Sequence, residues 1–166
     1  PTKVNEYRLI GYENRMLNAE DFNDDTKDAG EVGAGHRVTA LYELILSDSD
    51  ATTSAVDLKY QTTNLTNSND WLTVSIRYKE PDSNKSQLLS YPVGDIHYTS
   101  DPSENIQFAS CVAQFAMILN ESAYAKDITY RDIKNTLIRL RCTHEDEYKK
   151  EFYELVKIME DTSHFR

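Results

Sequence analysis

Trp71-Leu-Thr-Val-Ser-Ile-Arg-Tyr-Lys79 alternates apolar and polar side chains without a break. Leu72, Val74, Ile76 and Tyr78 fall on one side, and Thr73, Ser75, Arg77 and Lys79 on the other. Period two over this length predicts a half-buried strand. After Asp101-Pro-Ser-Glu104 the period becomes helical. Ile106, Ala109, Val112, Ala113, Ala116 and Leu119 recur at three and four residues as one apolar stripe, predicted to face the core. Asp101 has the side chain of an N-cap, Pro102 suits the first helical position, and Glu104 stands where a capping-box carboxylate belongs. This change of period decides the fold class. Strands come first and helices afterwards, which is α+β with segregated layers.

Outward from these two stretches, four more runs read as strands. His36–Leu46 places Val38, Ala40, Tyr42, Leu44 and Leu46 on one face, while Leu41 and Ile45 interrupt the other. Tyr7–Arg15, Val56–Tyr60 and Gln87–Val93 are shorter. Pro81-Asp82-Ser83-Asn84 supplies the turn chemistry for a hairpin between Lys79 and Gln87. Toward the C-terminus, Thr129 is expected to cap a helix carrying Ile133, Leu137 and Leu140. Thr143 is expected to cap a third, with Tyr148, Phe152, Leu155, Val156 and Met159 as its stripe. The expectation is a β-sheet body over 1–100 and a three-helix unit over 101–166 packed on it.

Composition narrows the function classes. The chain has 166 residues, 18 Lys plus Arg against 28 Asp plus Glu, and a net charge of −10. Nucleic acid and anionic membrane call for clustered positive charge, so neither is expected as a partner. No apolar run approaches the roughly 18 residues of a membrane span, so membrane insertion is not expected either. Two cysteines, Cys111 and Cys142, cannot build a disulfide framework or a thiolate zinc site. The chain opens Pro-Thr-Lys-Val, without Met or an apolar signal region, and reads as a fragment.

Three segments suggest chemistry. Asn18–Glu31 holds six carboxylates: Glu20, Asp21, Asp24, Asp25, Asp28 and Glu31. Asn23, Asp24, Asp25 and Asp28 have the oxygens Ca²⁺ requires, but the EF-hand order is absent, so a solvated loop is the expected reading. Asp21, Asp24, Asp28 and Glu31 with His36 would be the material of an acidic hydrolase. Asp50-Ala-Thr-Thr-Ser54 fits a loose Mg²⁺-binding string, yet lacks the parallel strand and helix that such a site needs. Gly30-Glu-Val-Gly-Ala-Gly35 has its glycines in the reverse order to a dinucleotide fingerprint and precedes a strand, which leaves a tight turn. His36, His97, His144 and His164 sit in no nucleophile motif, although His144 lies two residues from Cys142. Exposed tyrosines and Trp71 leave a small-ligand or carbohydrate-binding sheet open as an alternative.

Several motifs together resemble a known bacterial family. They are Tyr7-Arg-Leu-Ile-Gly-Tyr-Glu-Asn-Arg15, Glu20-Asp-Phe22, Asp28-Ala-Gly-Glu-Val-Gly-Ala-Gly-His36, Val38-Thr-Ala-Leu-Tyr-Glu-Leu44, Val74-Ser-Ile-Arg-Tyr-Lys79 and Phe108-Ala-Ser-Cys-Val-Ala-Gln-Phe115. The chain is similar to the domain that follows the von Willebrand factor type A domain in cell-envelope proteins. The resemblance implies a β-sandwich-like body shared with strands upstream of the type A domain, and a non-enzymatic accessory role. It implies that the partners are the type A domain and those upstream strands of the same chain, together with a protein partner it does not identify. It places the protein at the cell envelope or outside the cell. The divalent metal of such proteins belongs to the type A domain, so no cofactor, metal ligand or catalytic residue is carried over. Gly33, Gly35, His36, Tyr42 and Glu43 are the positions expected to form a structural or interaction motif. An incomplete sheet would also expose an edge, and the strand ending Leu44-Ile-Leu46 is the expected place for either a homodimer contact or cover by Asn18–Glu31.

Overall fold

Among the described residues, four strands and four α-helices follow one another in the order that the change of period predicts. The structure is a computed structural model and describes residues 3–11, 18–27, 30–47 and 69–163. It divides into two units, 1–98 and 99–166. The expected strand at Val56–Tyr60 and the Asp50–Ser54 string lie outside the described residues.

In the first unit, β1 (Val4–Ile10) pairs antiparallel with β2 (Leu41–Leu46). β1 stops at Gly11, whose φ of +76° ends the extended run before the predicted Arg15. β2 starts at Leu41 and not at His36, because 36–40 form no ladder. β3 (Asp70–Tyr78) pairs antiparallel with β4 (Gln87–Gly94). Their connection turns at Glu80–Ser83, where the Ser83 amide donates to the Glu80 carbonyl at 3.1 Å. Pro81 presets the first turn position, and Asp82 takes the second at φ +67°. Among the described residues the strands form two ladders of two strands each. The class is therefore α+β.

The second unit holds α1 (Glu104–Leu119), α2 (Tyr130–Leu137), α3 (Arg141–Glu145) and α4 (Glu147–Ser163). Four helices replace the expected three, because the chain breaks at Asp146. Its carboxylate accepts from the Lys149 amide at 3.0 Å and starts a new helix. Thr143 is not a cap. It lies buried inside α3. Thr129 does cap α2, and Asp132 completes a capping box with it. At α1 the cap is Ser103 and not Asp101. Glu104 turns away from its own cap, and accepts from the Arg141 and Cys142 amides at 3.2 and 3.0 Å. It thereby supplies the start of α3, where Leu140 has no capping side chain.

The core of this unit is Cys111, Phe115, Ile133, Leu137, Leu140 and Val156. Phe152 stacks edge-on against both Phe108 and Phe115. Part of the expected stripe of α1 therefore turns outward. Phe108, Cys111, Phe115 and Ile118 face inward, while Ile106, Val112 and Leu119 of the predicted stripe are exposed. Both faces of α1 are apolar, so periodicity alone could not choose between them. Aromatic volume decided it, since burying Phe108 and Phe115 removes more apolar surface than burying alanines. On α4, Val156 is buried as expected, but Tyr148 and Leu155 are exposed.

Candidate functional site

The glycine-rich segment folds as a turn for close approach. The His36 amide donates to the Gly33 carbonyl at 3.0 Å. A Cβ on Gly33 would lie 2.8 Å from His36 Nδ1, and Gly35 adopts φ +79°. Each glycine therefore answers a local requirement. Five residues later β2 separates the remaining motif residues onto opposite faces. Glu43 pairs with Arg8 across the ladder. Tyr42 is opposite Leu9 and shares its face with Tyr7, both tyrosines being exposed. Gly33, Gly35 and His36 form one turn; Tyr42 and Glu43 do not converge with it on a common point.

The acidic segment spends its oxygens locally. Asp24 Oδ1 accepts from the Thr26 amide at 2.9 Å and the Thr26 hydroxyl at 2.7 Å, and these bonds hold its pKa below the ordinary value. Asp25 is lowered mainly by the Ser86 hydroxyl. Asp21 pairs with Lys27 at 3.0 Å. The segment is fastened to the β3–β4 hairpin. Arg77 donates to Asn23 Oδ1 at 2.8 Å and to the Ser86 hydroxyl at 2.7 Å, and lies over the Phe22 ring. Lys79 Nζ donates to the Asp25 carbonyl at 2.6 Å. The segment thus grips the β3–β4 hairpin. Asp28 lies outside the described residues. Among those described, no three His, Cys, Asp or Glu side chains are placed to hold a metal ion.

Among the described residues, Cys111, His97 and His144 are held within the fold. Burial pushes the Cys111 thiol up to about 11, which suppresses its thiolate. Cys142 is half-buried. His144 does not turn to it; its Nε2 lies 3.0 Å from the Ile138 carbonyl and its ring packs edge-on to Tyr153. His97 Nδ1 accepts from the Gly94 amide at 3.1 Å. Asp95 accepts from Lys3 at 2.7 Å and from the Trp71 indole at 2.6 Å, and these two partners hold it ionised below the ordinary range. Trp71 stacks on Tyr98. Among the described residues, the carboxylates whose pKa departs clearly from the ordinary value move downward. A general acid needs the opposite shift.

What the described residues do offer is apolar surface. The register sets Leu72 opposite Val93, Val74 opposite Tyr91 and Ile76 opposite Leu89, all on one face of the β3–β4 ladder. Val74, Ile76, Leu89 and Tyr91 stay 38 to 52% exposed there. No described residue of the first unit is fully buried. In the second unit Tyr148, Leu155 and Ile158 of α4 line an open depression with Phe152, Glu151 and Glu154. The outward side of α1 is a third such surface. Its signal in the sequence is the lack of any charged residue over 105–119, a pattern that fits a helix with neighbours on both sides.

Comparison with known proteins adds a family and little chemistry. Residues 1–162 match the family described as "Uncharacterized protein YfbK, C-terminal". The uncharacterized protein YfbK of Escherichia coli (strain K12) is 35% identical over 162 residues, which cover 95% of this chain and 28% of that protein. The chain thus spans little more than a quarter of that relative's length. No solved structure matches.

Proposed function

The chain belongs to the family of YfbK C-terminal domains, and from that premise we propose that it is a non-enzymatic support and interaction module of a longer protein. In this reading it holds a von Willebrand factor type A domain for protein–protein contacts at the cell envelope. The observation that carries the proposal is the half-exposed apolar face of β3–β4, in a unit with no fully buried described residue. A two-stranded ladder is marginal by itself and needs a covering layer. Strands from the rest of a YfbK-like chain supply that layer, and complete the two ladders as a sandwich. The 28% coverage of the relative leaves ample sequence for it.

The test is capture of the remaining part of the full-length protein by this chain, with Ile76→Asp and Tyr91→Asp as face variants. Capture by the unaltered chain, weakened in both variants, is the expected result. Failure of capture, together with unchanged hydrogen exchange in β3 on mixing, would sink the proposal. Fractionation of cells carrying the full-length protein tests the envelope placement separately.

A further inference from the structure

We propose that the turn Asp95–His97 is a pH-operated latch between the two ladders of the first unit, closed while the His97 imidazole is neutral and released when it takes up a proton. The turn is a single turn of 3₁₀ helix directly after β4. Asp95 at its head holds both ladders. Its Oδ1 accepts from the Trp71 indole of β3 at 2.6 Å, and its two oxygens accept from Lys3, the residue before β1, at 2.7 and 2.8 Å. The Lys3 carbonyl in turn accepts from the Ser47 amide at 3.1 Å, just past the end of β2. One carboxylate therefore links the start of β3 to the end of the β1–β2 ladder. No described residue of this unit is fully buried, which raises the share that polar ties have in holding its ladders together.

His97 fixes the turn. The β3–β4 ladder slips by one residue between Asp70 and Leu72. Beyond the slip Gly94 lies so close to β3 that a Cβ there would stand 3.0 Å from the Asn69 carbonyl. The Gly94 amide turns to His97 Nδ1, 3.1 Å away. A ring nitrogen accepts a hydrogen bond only while it carries no proton. Protonation makes Nδ1 a donor facing the N–H it had accepted from, and the ring must leave. The backbone that aims Asp95 at Trp71 and Lys3 then loses its cap.

The charged groups around the turn are Asp95 itself, Lys3 ahead of β1, and Asp70, which pairs with Gly94 in the register. Among carboxylate, ammonium and imidazole groups in their ordinary ranges, the imidazole alone changes charge between about pH 5 and 8.

Nitrogen–proton correlation NMR on the 166-residue chain, from about pH 8 down to about pH 5, is the experiment. Trp71 is the one tryptophan of the sequence, so its indole N–H is a single reporter. A hydrogen bond to a carboxylate holds that proton downfield. On acidification the resonance is expected to move upfield along a one-proton curve, with the Ser47 amide following the same curve. His97→Asn keeps an acceptor oxygen near the Nδ1 position and cannot titrate, so both resonances should stay at their starting positions. His97→Ala removes the acceptor and should hold the indole near its acid position at every pH. Asp95→Ala marks the fully released position of both reporters. Circular dichroism on each variant keeps loss of folding separate from release. A flat indole resonance in the unaltered chain overturns the proposal, as does a titration that persists in His97→Asn. An indole that titrates while Ser47 stays still shows a turn that moves without joining the ladders, and overturns the latch as well.

Discussion

At the scale of single residues, Thr143 shows how a reasonable expectation from sequence meets tertiary structure. Its hydroxyl suits an N-cap, and four residues separate it from Tyr148, the start of an apolar repeat. In the fold it is 0% exposed, and its Oγ1 finds no hydrogen-bond partner among the described residues. Asp146, three positions later, takes the capping role. A buried hydroxyl without a partner has lost its water and gained nothing. Thr143→Val keeps the shape and removes the orphan oxygen. It is expected to raise stability by about 1 kcal/mol, read as a shift of the urea midpoint at unchanged slope. A lower midpoint would mean that the hydroxyl is satisfied in solution. The glycine turn gives the opposite lesson. Gly33 and Gly35 were legible as glycines under constraint, because a run of three spaced glycines before a strand has few other uses. Their neighbours Tyr42 and Glu43 were not separable in sequence, and only the ladder with Arg8 and Leu9 assigned them to different faces.

At the scale of elements, the strands with strict alternation were legible and the helices were legible in part. β3 and β4 follow their predicted spans within a residue or so because each apolar position has one face to occupy. α2 was legible from Thr129 onward for the same reason, with its capping box and its apolar pair Ile133 and Leu137. α1 carries two apolar faces, and the sequence contained no term to rank them. The ion pairs between α2 and α4 were invisible in sequence, because their partners stand far apart in the chain. Glu160, buried on α4, pairs with Arg131 and Lys134 of α2. The Lys134 ammonium, and then the Arg131 guanidinium, hold its pKa below the ordinary carboxylate value. A carboxylate depressed in the folded state adds stability above its unfolded pKa, and loses it as pH falls through the folded one. Glu160→Gln is therefore expected to lower the melting temperature at neutral pH. The gap to the unaltered chain should close as pH drops below the ordinary carboxylate range. A gap that stays constant across that titration would assign the effect to packing instead.

At the scale of the whole molecule, the two units differ in kind. The helical unit has eight buried residues, among them Ile133, Leu137 and Val156 at 0% exposure, and the strand unit has none described. Hydrogen exchange should follow that division. Amides of α2 and α4 are expected to exchange last, near the rate set by global opening of their unit, and those of β1 and β2 much earlier. Equal protection in both units would contradict it. The apolar period changes near residue 101, and the two units divide between Tyr98 and Thr99. The unequal cores were not legible, because the apolar positions of β3 and β4 look like core positions until a register shows what lies opposite them.

One small contact ties the surface of this molecule to its interior. Glu104 is the first residue of α1, yet the groups it satisfies belong to α3, 37 and 38 residues further along the chain. α3 has no capping side chain on Leu140, and five residues are too few to sustain a helix unaided. Its existence is therefore conditional on where α1 begins. Whatever displaces the first turn of α1 also releases the two amides that open α3, so a partner gripping α1 from outside would be reported at α3 without touching it.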